Sequence, residues 1–482
     1  MTDAGIVPEQ AARSARYLVG TILAIVAVPS AVAALPEWTG LMSLLWPVLV
    51  LVSHRYPAFG VALLAFTIPL QDVFWIETIL GASTVTRYLG WAIIAGWLPK
   101  AVRGAGVVID HVAVMHALIV ITLVASIGAG GVRVLTWSIE VYHWLLPLAI
   151  YVACRSLGFG ARDRLWVVFG IACGVIVASI RGIEQFATGA GPESYQVGGM
   201  VRVYGTFGHP NTLAAYLVLA LPIMVAVSAL WSKSAPPLVL WTIRGSSVLG
   251  SIALILTQSR GGWLAMAGAV GVLLWYSPRS VQRATAATVA IVAVLVVASG
   301  LATTLPGVTR FSSVIASEFN RTQVTTETWG QLERQAHWGA AWTMMTDRPI
   351  FGVGAGEYND NFRENTTEWR FRVGRGQAHN GYLHMGAQAG VPGMLAFTAW
   401  VGTILGALRL RMQFVRGPDR VLLVGALATA VAFTIESIFE YLEVLSLPVL
   451  FLVVVAIGMG GQGRGDVVSE PSGMQRATGD DS

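Results

Sequence analysis

Through most of the chain, long apolar blocks alternate with short polar connections, and a helix needs about 20 apolar residues to cross a bilayer core. About fourteen blocks approach that length, near 17–35, 39–53, 58–72, 87–99, 107–127, 140–154, 165–182, 210–231, 238–258, 261–277, 284–303, 380–408, 420–438 and 444–461. The blocks at 39–53 and 58–72 are short, and the one at 380–408 is long enough to hold a surface turn at Gly390-Val391-Pro392-Gly393 before its true span. This pattern predicts an all-α polytopic membrane protein with about 12–14 transmembrane helices. It divides into a cytoplasmic tail at 1–16, one membrane domain at 17–461 with a long outer loop at 304–379, and a cytoplasmic, disordered tail at 462–482. Arg13 and Arg16 ahead of an apolar run and Ala31-Val32-Ala33 have features of a cleaved signal peptide; an uncleaved first span is the preferred reading.

Composition points the same way. Of 482 residues, 55% are apolar and only 12% charged, too little polar surface for soluble domains of that size. The formal charge of +5 does not indicate nucleic acid, because the basic residues are scattered over connections and form no basic stripe interleaved with aromatics. Cys154 and Cys173 fall inside apolar blocks and read as ordinary buried thiols.

The lysines and arginines set the orientation, since short cytoplasmic connections carry the positive excess. With the N-terminus inside, Arg55, Lys100, Arg103, Arg155, Arg162, Arg164, Lys233, Arg244, Arg279, Arg283, Arg409, Arg411, Arg416 and Arg420 are all cytoplasmic. The short outer connections then hold only Arg87, Arg133, Arg181, Arg202 and Arg260.

Two of these outer arginines have specific surroundings. Arg202 precedes Gly205-Thr206-Phe207-Gly208-His209-Pro210-Asn211, where Pro210 suits a first helical position and the free amides of a helix start favour an anion. Arg260 follows Ser259 and precedes Gly261-Gly262, at the end of a helix expected over Leu238–Gln258, which places a permanent cation at the membrane rim where a ligand can come close.

In the long loop, Thr326–Met345 reads as an amphipathic helix with a stripe of Trp338, Ala341, Trp342 and Met345, lying on the outer surface or capping the bundle. Arg334 and His337 flank the stripe and are expected to meet solvent or headgroups. The glycines of Asp347–Gly356 lack both a Walker lysine and a strand-helix setting, so they read as a tight turn. Arg363, Arg370, Arg372 and Arg375 then raise the positive charge ahead of His379-Asn380, a polar pair where the chain turns apolar again. Glu436 and Glu440, one helical turn apart near the outer end of a block, can orient an arginine or act as a rival base; Glu443 is expected to be exposed.

The motifs GTFGHPNTLAAY (205–216), LTQSRGGW (256–263), RPIFGVGAG (348–356) and AHNGYLHMGAQAGVPG (378–393), in that order on a polytopic chain, resemble the O-antigen ligase and polymerase superfamily. The resemblance covers about 202–410. It implies a glycosyltransferase of the cytoplasmic membrane, used in cell-surface polysaccharide biosynthesis, with its site on the extracytoplasmic face. The donor would be an undecaprenyl-diphosphate-linked glycan and the acceptor a lipid, glycan or protein hydroxyl, with no metal and no cofactor. Residue by residue, the resemblance assigns catalysis to His379 as general base with Arg260 and Arg202, although Arg181 is also near the latter motif. Asn380, Ser259, His209, Asn211, Tyr382 and Arg334 make up the expected substrate-binding set. A diphosphate is already a good leaving group, so cations that neutralise it and a base for the acceptor suffice, giving single displacement with inversion. A flippase or other transporter of lipid-linked saccharides is the alternative, though no internal repeat supports it; a non-catalytic scaffold is a third.

Overall fold

The computed structural model describes residues 37–460 apart from 72, 74, 79–80, 104–105, 130–133, 198–199, 230–234, 299–325, 367–369, 372–373, 375 and 443–445. The expected first span at 17–35, the tails at 1–16 and 462–482, and Arg133, Arg372, Arg375 and Glu443 lie outside the described residues.

Every other expected block is a helix. In chain order these are α1 (Glu37–Arg55), α2 (Pro57–Thr67), α3 (Val85–Val102), α4 (His111–Ala125), α5 (Val134–Leu157), α6 (Ala161–Thr188), α7 (Pro210–Ser228), α8 (Pro237–Leu256), α9 (Arg260–Tyr276) and α10 (Arg279–Ala298). After the long loop's α11 (Thr326–Asp347) and the short α12 (Tyr358–Asn365) come α13 (Gly381–Arg411), α14 (Gly417–Phe439) and α15 (Leu447–Met459). Six helical stretches, His111–Ala129, Ala161–Thr188, Pro210–Ser228, Pro237–Leu256, Gly381–Arg411 and Gly417–Phe439, are long and apolar enough to cross a membrane. The protein is all-α and polytopic. Two small antiparallel ribbons, β1 (Trp75–Thr78) with β2 (Gly81–Thr84) and β3 (Gln196–Val197) with β4 (Met200–Val201), lie in connections that the apolar pattern did not resolve.

Helices that are apolar all round belong in the middle of a bundle. α7 and α15 are such helices. Leu213 to Ser228 of α7 and all of α15 from Leu447 to Met459 are buried. α7 packs on α8 and α14, and α14 in turn on α9 and α15. Farther along the bundle, Trp144, Phe397, Trp400, Phe433 and Phe451 form a continuous aromatic cluster with ring centroids 4.0–6.0 Å apart between neighbours.

Two expectations change. The Gly390–Gly393 stretch is not a surface turn: Ala389 and Gly390 break α13 in its buried part, and the chain continues as helix on the other side. Pro392 has no N–H, so the Gln388 carbonyl needs another donor, and Gly354 N–H supplies it at 3.1 Å. Val353 N–H caps the Ala387 carbonyl and Val391 N–H turns to the Pro349 carbonyl, both at 2.8 Å. The 348–356 glycine stretch is a tight turn, as read, but its work is to pair the broken helix. A Cβ on Gly352 would stand 2.3 Å from the Ala387 oxygen, and one on Gly390 2.5 Å from that of Pro349; both residues have positive φ. The second change concerns α11, which packs on α13 and buries Ala336, His337, Ala340, Ala341, Met344 and Met345. Of the apolar stripe, Ala341 and Met345 are buried and Trp342 is exposed, while His337, expected to meet solvent or headgroups, is fully buried.

Candidate active site

Three helices begin around the end of α14. His209 caps α7, its Nδ1 accepting from Asn211 N–H at 3.1 Å. Ser259 caps α9, its Oγ accepting from Gly262 N–H at 3.4 Å. Asn380 caps α13, its Oδ1 accepting from Leu383 N–H at 2.9 Å. Short polar side chains at these positions satisfy otherwise orphaned amides. The three starts touch the same place. Asn211 Nδ2 donates to Glu440 Oε1 at 2.6 Å and Asn380 Nδ2 to the Ile438 carbonyl at 3.0 Å, while a Cβ on Gly261 would meet Phe439 at 2.9 Å. Helix starts carry partial positive charge, so this end of the bundle is electropositive before any side chain is counted.

The arginines add to that charge. Residues 202–203 run along the end of α8: Val203 N–H donates to the Leu256 carbonyl at 3.2 Å and Arg202 Nε to that of Thr257 at 3.0 Å. This pairing brings Arg202 beside the Arg260 motif although 58 positions separate them in sequence. Buried Gln185 fixes the turn that follows, accepting from Tyr204 and Gly205 N–H and donating to the Gly205 carbonyl. The Arg202 terminal nitrogen donates to Asn211 Oδ1 at 2.8 Å. Burial, then repulsion from Arg334 and Arg260, lower the Arg202 guanidinium to about 10, with Glu440 pulling the other way. Arg202 therefore stays charged at neutral pH, in a site where Arg202, Arg260 and Arg334 outnumber the one ionised carboxylate, Glu440.

Glu440 stands at the centre. His379 Nδ1 lies 3.0 Å from Oε2, and Arg334 approaches Oε1 at 3.6 Å. Burial alone would raise the carboxyl, but the hydrogen bond from His379, the charges of His379 and Arg334 and the Asn211 bond bring it down to about 2. An ionised carboxylate only accepts, so His379 donates its Nδ1–H to it, and in the neutral imidazole the lone pair then lies on Nε2. His379 is held on two further sides, and its φ is +51°: Trp338 Nε1 donates to its carbonyl at 3.1 Å, and the His337 ring meets its own edge-on at 5.4 Å. Gln258, two residues before Arg260, also has positive φ, at +53°. Such backbone costs about 1–3 kcal/mol and persists where the surroundings impose it.

The structure thus joins His379, Glu440, Asn211 and Arg202 in one hydrogen-bonded path, with Arg334 on Glu440 and exposed Arg260 within electrostatic reach of Arg202. His209, Ser259 and Asn380 are present as helix caps. Tyr382 stands apart from this path: its hydroxyl donates to the Thr434 carbonyl at 3.4 Å and its ring packs on Phe397 at 5.0 Å. Arg181 pairs with Glu184 at 2.6 Å on an exposed helix face. Arg334, read first as a headgroup contact, points instead to Glu440.

Residues 245–398 match the family model described as O-antigen ligase. Over that stretch the chain is similar to the O-antigen ligase and polymerase superfamily. No curated protein matches it. The match supports an O-antigen ligase or polymerase type of function, in a family of glycosyltransferase-like enzymes. It includes Ser259, Arg260, Arg334, His379 and Asn380, whereas Arg202, Asn211 and Glu440 lie outside and join the ligase stretch only through contacts in space.

Behind the path a second network holds it in place. Tyr441 N–H donates to Gln377 Oε1 at 3.2 Å, and its hydroxyl donates to Glu140 Oε1 on α5 at 2.6 Å. Gln388 donates to the same Glu140 oxygen at 3.2 Å and accepts from Gly356 N–H at 3.0 Å. Glu140 and Tyr441 had no sequence signal beyond their apolar setting. Among the described residues, no group of three or more His, Cys, Asp or Glu residues has the arrangement of a metal site.

Proposed function

We propose that this protein transfers a glycan from a polyprenyl-diphosphate carrier to an acceptor hydroxyl on the extracytoplasmic face of the cytoplasmic membrane. The observation that carries the reading is the His379–Glu440–Asn211–Arg202 path, set among three helix starts and two further arginines. Arg202, Arg260 and Arg334 hold the diphosphate and neutralise the charge that grows on it as it leaves. These cations supply the stabilisation that a metal gives other sugar-diphosphate enzymes, so the mechanism needs none.

Glu440 fixes the His379 tautomer and leaves Nε2 to take the proton from the acceptor hydroxyl. The acceptor oxygen attacks the anomeric carbon as its bond to the diphosphate oxygen breaks. The carrier diphosphate departs with the bonding pair, the proton rests on His379, and the configuration inverts. Asn380 caps α13 and places His379 rather than contacting substrate.

The test uses purified full-length protein in liposomes containing a polyprenyl-diphosphate-linked glycan and a candidate acceptor. Glycan covalently joined to the acceptor, and lost in His379→Ala and Arg260→Ala proteins that insert normally, supports the reading. Carrier translocated without covalent change would instead mark a transporter and overturn it.

A further inference from the structure

A second arginine site lies on the same end of the bundle, built from residues the transfer chemistry does not use. Arg87 in the first turn of α3 meets the His143 Nε2 of α5 at 2.7 Å, and its guanidinium lies 5.3 Å over the Tyr142 ring. The arginine only donates, so His143 Nε2 accepts and the imidazole is neutral. No carboxylate among the described residues lies within ion-pair distance of Arg87. Arg87 and His143 line a cleft together with Tyr142, Leu146, Pro147, Ser446, Pro448 and Val449. Ser446, with φ of +59°, begins α15 and adds a hydroxyl beside the cation.

Apolar side chains are exposed around the cleft. Trp91, one turn along α3, and Ile139 and Leu145 on α5 are exposed apolar side chains, and Trp91 Nε1 donates to the Tyr142 hydroxyl at 3.0 Å. An aromatic pair of this kind marks the bilayer interface. Among the described residues Arg87 has no carboxylate partner, and a cation so placed calls for an anion brought by the ligand. One cation, a hydroxyl and apolar walls suit a phosphate that enters with a hydrocarbon chain attached.

We propose that the Arg87–His143 cleft binds the phosphate of a membrane lipid, at a site separate from the His379 cluster. The two are linked through α5: Glu140, which accepts from the Tyr441 hydroxyl, lies three residues before His143.

The experiment is native mass spectrometry of the detergent-purified full chain with phosphatidylglycerol, undecaprenyl phosphate or inorganic phosphate added separately. One equivalent of a phosphate-bearing lipid is expected on the unsubstituted protein, bound roughly tenfold or more weakly by Arg87→Gln and kept in good part by Arg87→Lys. The lipid retained better, phosphatidylglycerol or undecaprenyl phosphate, identifies the source. Equal lipid binding by Arg87→Gln, or inorganic phosphate binding as tightly as either lipid, overturns the proposal. Should Arg87→Gln fail to fold, a phosphatidylglycerol with a photoactivatable tail is cross-linked to the unsubstituted chain. Label on peptides containing Trp91 or Leu145 supports the site, and its absence there refutes it. None of these readouts needs glycan transfer, so they stand whatever the fate of the transferase reading.

Discussion

The two ends of α14 handle charge in opposite ways. At its start, Asp419 pairs with Arg164, which also donates to the Ile457 carbonyl at 3.4 Å. Beside it, Arg155 pairs with Asp110 at 3.1 Å and donates to the Gly460 carbonyl, while Tyr151 donates to the same carboxylate at 2.9 Å. Those arginines lie with carboxylates and carbonyls that tie the ends of α5, α6 and α15 together. At the other end, Glu440 faces Arg334 directly, with Arg202 and Arg260 close by, and the three helix starts add more positive charge. One end is balanced and structural; the other is left short of negative charge, as a site awaiting an anionic ligand should be.

The sharpest way to break this contrast is at the electropositive end. His379→Ala is expected to cut glycan transfer by about 10²–10⁴-fold. Glu440→Gln should lower kcat on the order of 10²-fold or more with little change in KM, because it removes the group that orients the base and not one that holds the donor. Equal losses in kcat and affinity, measured by initial rates against donor concentration, would count against that role. At the balanced end the effect should fall on stability. Arg155→Met leaves the part-exposed Asp110 with only the Tyr151 hydroxyl and should cost about 1–3 kcal/mol, read from thermal unfolding in detergent, with kcat per folded molecule unchanged.

The next effects are smaller. Gly390→Ala puts a Cβ against the Pro349 carbonyl at a positive-φ position and should cost about 1–3 kcal/mol, lowering the unfolding temperature. Glu440 gives a pH signature. Its folded pKa, about 2, lies below its ordinary 4.5, so its stabilisation is complete above 4.5 and is lost as pH falls from there towards 2. The acid limb of the unfolding temperature should flatten in Glu440→Gln. Smallest is Tyr441→Phe, which removes one hydrogen bond to Glu140 and should cost about 0.5–1.5 kcal/mol.

The helices were legible because hydrocarbon imposes a length and a composition that no soluble core demands. Arg260 and Arg202 were legible because, with the N-terminus taken as inside, a cation on an expected outer connection runs against the charge bias. What the sequence hid was pairing. Glu440 was visible as an acid near a membrane rim, but the 61 positions between it and His379 follow no periodicity that could match them. Asn211 likewise was read from its motif, while its link from Arg202 to Glu440 depends on how α7 and α14 pack. The break in α13 was misread because Gly390 and Pro392 look alike in a surface turn and in a buried kink; only the loop amides at 353 and 354 tell them apart. His337 was misplaced because the sequence does not tell which side of α11 the neighbouring elements cover.

That break also bears on how the chain is made. Until Val353 and Gly354 reach it, α13 would carry two unpaired carbonyls into an apolar environment, a cost of several kcal/mol that would oppose its insertion. The segment that relieves the cost lies ahead of α13 in the chain and is synthesised first. By the time the helix leaves the ribosome its partner already exists, so the order of residues along the chain is itself an assembly instruction.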